Sequence, residues 1–181
     1  MIDALRKTLK AHLANRSDMK LSDPSKRCGE HKVVLDSLVG DAVDTELDEE
    51  VWESFKHEFL SSGPELLHEA TEFLWQYYGT VAGAFSKSER RDYGIPEIDR
   101  SADIWDEVRF QHPPEFRPGS GALSPAAGYL SFEGEVSWEP EHGLQLVFEV
   151  GPKICKVGPY DGHTTTAHAW GDQSLLGVVY K

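Results

Sequence analysis

Cysteine is scarce in this 181-residue chain: Cys28 and Cys155 stand far apart, with no paired spacing. That excludes a disulfide framework and a thiolate zinc site, and leaves both thiols as buried or idle groups. Long apolar runs are missing too. No stretch approaches the roughly eighteen residues a membrane span needs, and the opening Met1-Ile2-Asp3-Ala4-Leu5 meets charge at Arg6 and Lys7 before any signal core can form. The reading is a soluble chain of the cytoplasm, with no membrane partner. Phosphate-cradling loops are absent, since no Gly-rich run ends in Lys-Ser or Lys-Thr and no Gly-x-Gly-x-x-Gly joins a strand to a helix. No cofactor is expected. Gly119-Ser120-Gly121 lies among prolines rather than on a strand-to-helix turn, so it reads as a link and not as a nucleophile elbow.

Positive charge is also short. Eighteen Lys and Arg face thirty-one Asp and Glu, a formal net charge of −13. The distribution is uneven: residues 1 to 32 carry eight basic against four acidic side chains, whereas residues 41 to 72 carry eleven acidic against Lys56 alone. A field of that sign repels nucleic acid and anionic lipid and speeds encounter with a basic protein. The plainer account, that surplus acid keeps the chain soluble, stands beside it.

Periodicity gives an α+β fold in one domain: N-terminal helices, including a helical hairpin, packed on a small C-terminal antiparallel β-meander. The divisions are a helical N-terminal extension over 1–47, a helical part over 48–111, a loop over 112–128 and a sheet over 129–181. Ile2, Leu5, Leu9 and Leu13 mark a one-faced opening helix. Residues 17–31 lose the pattern and read as a loop, and Val33-Val34-Leu35 fits strand or helix equally. Asp48 is placed to cap a helix whose first turn holds Glu49 and Glu50, and in which Val51, Phe55 and Phe59 share a face beside Trp52. Gly63-Pro64 ends that helix and starts the next, where Leu66, Leu67, Ala70, Phe73, Leu74, Tyr77, Tyr78 and Val81 keep the helical period. Ser101 is a cap for a short helix burying Ile104, Trp105 and Val108, although Val108 to Gln111 also suits a strand. Four prolines and three glycines make 112–128 a surface loop. Two alternating runs, Leu130 to Trp138 and Leu144 to Val150, give strands with one wet and one dry face. Gly151-Pro152 turns into a third strand, Ile154 to Val157, and Leu175 to Tyr180 suits a last one.

The hairpin turn carries a motif. Trp138-Glu139-Pro140-Glu141-His142-Gly143-Leu144, with Pro96-Glu97-Ile98 upstream and Val157-Gly-Pro-Tyr-Asp161-Gly-His163 downstream, resembles a bacterial domain family of unknown function marked by a Trp-x-x-Glu-His-Gly-Leu turn. The resemblance runs from about residue 50 to residue 163. It supplies no activity, and its association with small acidic immunity-type proteins implies binding rather than chemistry.

Two sets of candidate residues follow. For a protein interface with a basic partner they are Glu49, Glu50 and Glu53 on the acidic helix and Glu141 and His142 in the turn, with Trp52, Tyr77 and Tyr78 as anchors if exposed. For a divalent metal they are His142, Asp161, His163 and His168, because loops after the first and third strands of a meander lie at one end. Glu65-x-x-His68 has the spacing of carboxylate-bridged di-iron helices, but His57 follows Glu53 by four and supplies no second motif. Glu139 and Glu141 as a hydrolytic pair have no fixed separation in a loop. The preferred reading is a binding protein without catalysis, and the alternative is a metal-binding protein or metal-dependent enzyme.

Overall fold

The computed structural model describes residues 24–42 and 49–181, so the expected opening helix and the Asp48 cap lie outside the described residues. Among the described residues three helices come first: α1 over Pro24–Asp41, α2 over Glu49–Ser61 and α3 over Glu65–Gly83. A short α4, Lys87–Tyr93, follows, with a complete capping box between Ser86 and Glu89 and a left-handed Gly94 at its end. A 3₁₀ segment, Ser101–Glu107, then leads into the sheet. The strands are β1 (Val108–Phe110), β2 (Glu115–Pro118), β3 (Gly128–Val136), β4 (Leu144–Glu149) and β5 (Lys153–Gly158), and a five-residue α5 spans Thr166–Trp170. Helices precede an antiparallel sheet, which is the α+β order the periodicity predicts. Among the described residues, no helix is long and apolar enough to cross a membrane.

The nine residues of β3 organise the sheet. One edge pairs with β4 throughout, from Tyr129 opposite Glu149 to Gly134 opposite Leu144. The other edge is shared, with β2 along its start and β1 along its end. Then β4 pairs with β5, completing the expected meander.

Apolar spacing explains how the helices lie. Trp52, Phe55 and Phe59 put three aromatic rings on one side of α2; Phe59 packs on Phe132 and Phe148 at 5.6 and 5.3 Å, and Trp52 and Phe55 pack on Phe116 at 5.2 and 5.6 Å. Leu67, Ala70, Leu74, Tyr77 and Tyr78 form the buried stripe of α3, which lies against β5 and the 3₁₀ segment. α1 packs on α2, on α3 and on the same 3₁₀ segment.

Several expectations are corrected. Residues 24–31 are helix, not loop, and Val33-Val34-Leu35 is its continuation. The buried side of α1 is Cys28, Lys32, Leu35 and Val39, and it closes because Lys32 finds partners indoors: Asp36, the Phe59 carbonyl at 3.0 Å and the Phe59 ring at 4.8 Å. The proline-rich loop contains strand β2, an edge strand that ends on Pro118, where a missing N–H is tolerated. Ser101 caps nothing, since Arg100 holds the N-cap position without a side-chain bond. Leu175 to Tyr180 forms no strand; a 3₁₀ turn at Gln173–Leu175 precedes extended chain that gives β5 one hydrogen bond, from Val157 N to the Val179 carbonyl at 2.9 Å.

The largest correction concerns the wet face. Tyr129 and Ser131 of β3, Gln145 and Val147 of β4, and Cys155 and Lys156 of β5 are all buried. Segments on either side of the strands cover them: Ala126 packs against Tyr129, Val147 and Cys155, while Ser124, Thr164, Thr165 and Thr166 are themselves buried. Over β4, β5 and the first half of β3 the sheet is therefore a middle layer, with helices on its apolar side and coil with α5 on its polar side, while Glu133 and Glu135 keep the end of β3 wet as expected.

Candidate functional site

The polar side of the sheet holds the densest chemistry in the described chain. Register shifts between Val147 and Phe148, so that Val147 faces Lys156 while Phe148 faces Ile154 and Cys155 is the extra residue. This bulge turns two successive side chains, Cys155 and Lys156, to the same side of β5. Cys155 fills a small apolar pocket with Tyr129 and Val147, and burial raises its thiol pKa far above the ordinary value. It is an inert thiol.

Lys156 meets acceptors only. Its ammonium, in a side chain 6% exposed, donates to Gln145 Oε1 at 2.9 Å, to the His163 carbonyl at 3.2 Å and to Asp161 Oδ1. Gln145 Nε2 in turn donates to Ser131 Oγ at 2.9 Å, which extends the string across three strands. Burial lowers the Lys156 pKa, and the Asp161 carboxylate works against that shift. For Asp161 burial acts upward, but the hydrogen bonds from Lys156 and from the His163 N–H outweigh it and hold the carboxyl below its ordinary value.

His163 and His168 stand beside this pair with rings 4.8 Å apart and nearly perpendicular. His163 Nδ1 lies 3.2 Å from Asp161 Oδ1, and His168 Nδ1 lies 3.4 Å from the hydroxyl of Ser124, which also bonds Thr164 at 2.8 Å. The His168 pKa is lowered, first by burial and then by His163 and Lys156 nearby. Arg117 joins the group by donating to the Gly162 carbonyl. Asp161, His163 and His168 thus come together as the sequence placed them, but around an ammonium that already occupies the carboxylate.

His142 belongs to a different arrangement. The two loops do meet, since Tyr160 N donates to the His142 carbonyl at 3.1 Å. The imidazole, however, turns to Glu139, with Nδ1 3.5 Å from Oε1. The same Glu139 oxygen accepts from Glu141 N at 3.1 Å and His142 N at 3.3 Å, so the carboxylate caps the turn it begins. Among the described residues, the trio whose ligand atoms all lie within 4.8 Å of one another is Glu139, Glu141 and His142, with Glu141 and His142 exposed. Its chemistry is that of a turn held from inside.

The rest of the motif is also architectural. Gly143 takes a φ of +62°, and a Cβ there would stand 2.5 Å from the Gly134 carbonyl. Trp138 is 1% exposed and sits edge-on to both Tyr77 and Tyr78, at 5.9 and 5.8 Å. Tyr77 donates to the Gly143 carbonyl at 2.8 Å; Tyr78 donates to the Pro96 carbonyl at 2.8 Å and accepts from Ile98 N at 3.0 Å. Two adjacent helical tyrosines therefore pin the Trp138–Leu144 turn and the Pro96–Ile98 segment to α3. Tyr77, Tyr78 and Trp52 are buried, so none is a surface anchor.

Glu49, Glu50 and Glu53 are exposed on α2, as are Glu58 on the same helix and Glu65, Glu69 and Glu72 on α3. Glu65 accepts from Gly63 N at 3.1 Å and so serves the helix start rather than a metal with His68. Sequence reasoning missed Lys156, Gln145 and Ser131. The available signal was a lysine in the apolar run Ile154-Cys155-Lys156-Val157, which breaks strict alternation.

No curated protein and no solved structure matches the chain. A family model does: residues 22–164 match DUF6985, a domain of unknown function, and the chain belongs to that family. The match begins well before residue 50 and takes in α1, which agrees with the place of α1 in the core.

Proposed function

We propose that this DUF6985 domain is a protein-binding module without catalysis, which engages a basic partner through the carboxylate surface of α2 and α3. The observation that carries the reading is electrostatic. Glu49, Glu53, Glu58, Glu69 and Glu72 are exposed and form no ion pair among the described residues. Glu49 and Glu53 are four apart on α2, and Glu65, Glu69 and Glu72 follow one another on α3, so each helix presents a stripe of like charge. Nearby, Lys56 lies over the Trp52 ring at 5.9 Å. Like charges left uncompensated repel one another at a small cost in stability, and a partner of opposite sign relieves it. By contrast, the Lys156 ammonium and the Asp161 carboxylate on the sheet's polar side are spent on each other.

Charge complementarity of this kind raises association rates by about 10- to 1,000-fold at low ionic strength. An immunity-type inhibitor, whose partner is a basic toxin, is the narrower form of the reading that the resemblance implies. The turn residues Glu141 and His142 are exposed and add an acidic rim only as far as Glu141 is concerned. A pull-down from the source cell with the full chain is expected to recover a basic protein at low salt and release it as salt rises. Glu49→Lys, Glu50→Lys and Glu53→Lys combined should abolish that recovery; undiminished capture by the charge-reversed chain would end the proposal.

A further inference from the structure

A cavity of about 310 Å³ lies between the edge of β5, α5 and the tail, lined among others by Val157, Pro159, Asp161, Trp170, Tyr180 and Lys181. Half of its wall lies beyond residue 164, where the family match stops. Trp170 is 60% exposed, whereas Trp105 and Trp138 are at 1%. Its ring is nonetheless in use: the Lys181 ammonium stands 4.6 Å from the ring centroid. The Asp172 carboxylate is within electrostatic reach of the same ammonium and is held in place by the backbone N–H and hydroxyl of Ser174, at 2.9 and 2.7 Å. Aromatic face, carboxylate and adjoining cavity are the parts from which alkylammonium sites are built. Lys156, the other cation on the wall, is neutralised by Asp161 and has its three donors filled.

We propose that this cavity binds the alkylammonium end of a lysine side chain presented by another molecule. The ammonium lies over Trp170, in the place Lys181 takes in the free protein, and the methylenes run along Pro159 and Ala169. Lys181 is then an internal competitor that a stronger ligand displaces. The proposal rests on the preceding reading only for the source of the lysine, a basic partner; the chemistry of the cavity is testable without that partner.

The probe is N-acetyl-lysine methylamide, titrated into the full chain while the indole N–H signals are followed by NMR, with Trp170 assigned through Trp170→Phe. The Trp170 signal is expected to shift in proportion to occupancy, and the side-chain-acetylated, neutral analogue is expected to leave it still. Lys181→Ala should tighten binding roughly two- to fivefold, the worth of one exposed cation–aromatic contact. A shift of equal size with the neutral analogue, no shift with either, or unchanged or weaker binding by Lys181→Ala would each overturn the assignment. The triple charge reversal on α2 should bind the probe as the wild type does, so a failed pull-down with intact probe binding would sink the partner reading alone. Loss of the probe in that variant would place the ammonium on the helices and overturn the cavity.

Discussion

Lys156→Met removes an ammonium from the interior while keeping a side chain of similar length, and the structure says what is left behind. Gln145 Oε1, on a residue 1% exposed, and the His163 carbonyl each lose a donor, and Asp161 loses the cation it was paired with. An orphaned buried acceptor costs about 1–3 kcal/mol, and breaking a buried ion pair from one side costs about 3–5 kcal/mol. Against these stands the relief of not burying an ammonium at all, and the Asp161 side chain is 36% exposed, so water can replace part of what it loses. The sum is a destabilisation of about 3 kcal/mol for Lys156→Met. Asp161→Asn keeps an acceptor for Lys156 but removes the charge, at about 1–2 kcal/mol. In the double variant neither charge is stranded, so the two losses should not add; a coupling of about 1–3 kcal/mol is expected. Urea denaturation of the four proteins at pH 7 measures it, with equal m-values as the check that one transition is being compared. Additivity within about 0.5 kcal/mol would show that the pair is not a unit, and the account of the polar face would fall with it.

Two further outcomes follow from single groups. Tyr78→Phe deletes a hydroxyl that serves Pro96 and Ile98 at once, and should cost about 1–3 kcal/mol, with hydrogen exchange at the Ile98 amide accelerated beyond the global change. His31 and His168 both have pKa values lowered by burial, so the folded state binds their protons less readily than the unfolded chain. Their contribution is therefore complete above the unfolded value of about 6.5 and is lost as pH falls towards the folded values. Urea midpoints of the wild type should drop between about pH 7 and pH 5, and His168→Asn should flatten that drop; an unaltered slope would remove His168 from the explanation.

How much of this was legible depended on whether the deciding contact was local. α3 could be read because its buried stripe is wholly apolar or tyrosine and repeats at helical spacing. α1 could not, because the inward side of Cys28, Lys32, Leu35 and Val39 contains a lysine whose burial depends on a carbonyl twenty-seven residues away. β2 hid in a proline-rich stretch since an edge strand needs few donors. The acidic residues named from sequence are where a solvated helix face puts them. Asp161, His163 and His168 lie together while His142, grouped with them from sequence, turns to Glu139, and the group that organises the three, Lys156, was invisible, because alternation says which side a residue faces and not what covers that side.

The Trp138–Leu144 turn shows why a sequence signature need not be a site. Several of its residues meet a demand of folding: Trp138 fills the space between two tyrosines, Glu139 caps the turn's N–H groups, and Gly143 is forced by a positive φ and by the Gly134 carbonyl 2.5 Å from where a Cβ would stand, whereas the side chains of Glu141 and His142 are exposed. The backbone of a turn so determined from within has little freedom left, although the Glu141 and His142 side chains project from it to solvent. What it does fix is the position of α3 relative to the sheet, through Tyr77 on the turn and Tyr78 on the Pro96–Ile98 segment. The side chains on which this architecture places least demand are the exposed Glu49, Glu53, Glu58, Glu69 and Glu72 of α2 and α3, and Trp170 beyond the family match. The recognition proposed for those surfaces rests on Glu49, Glu53, Glu58, Glu69 and Glu72, which form no ion pair among the described residues, and on a Trp170 ring that stays 60% exposed beneath Lys181.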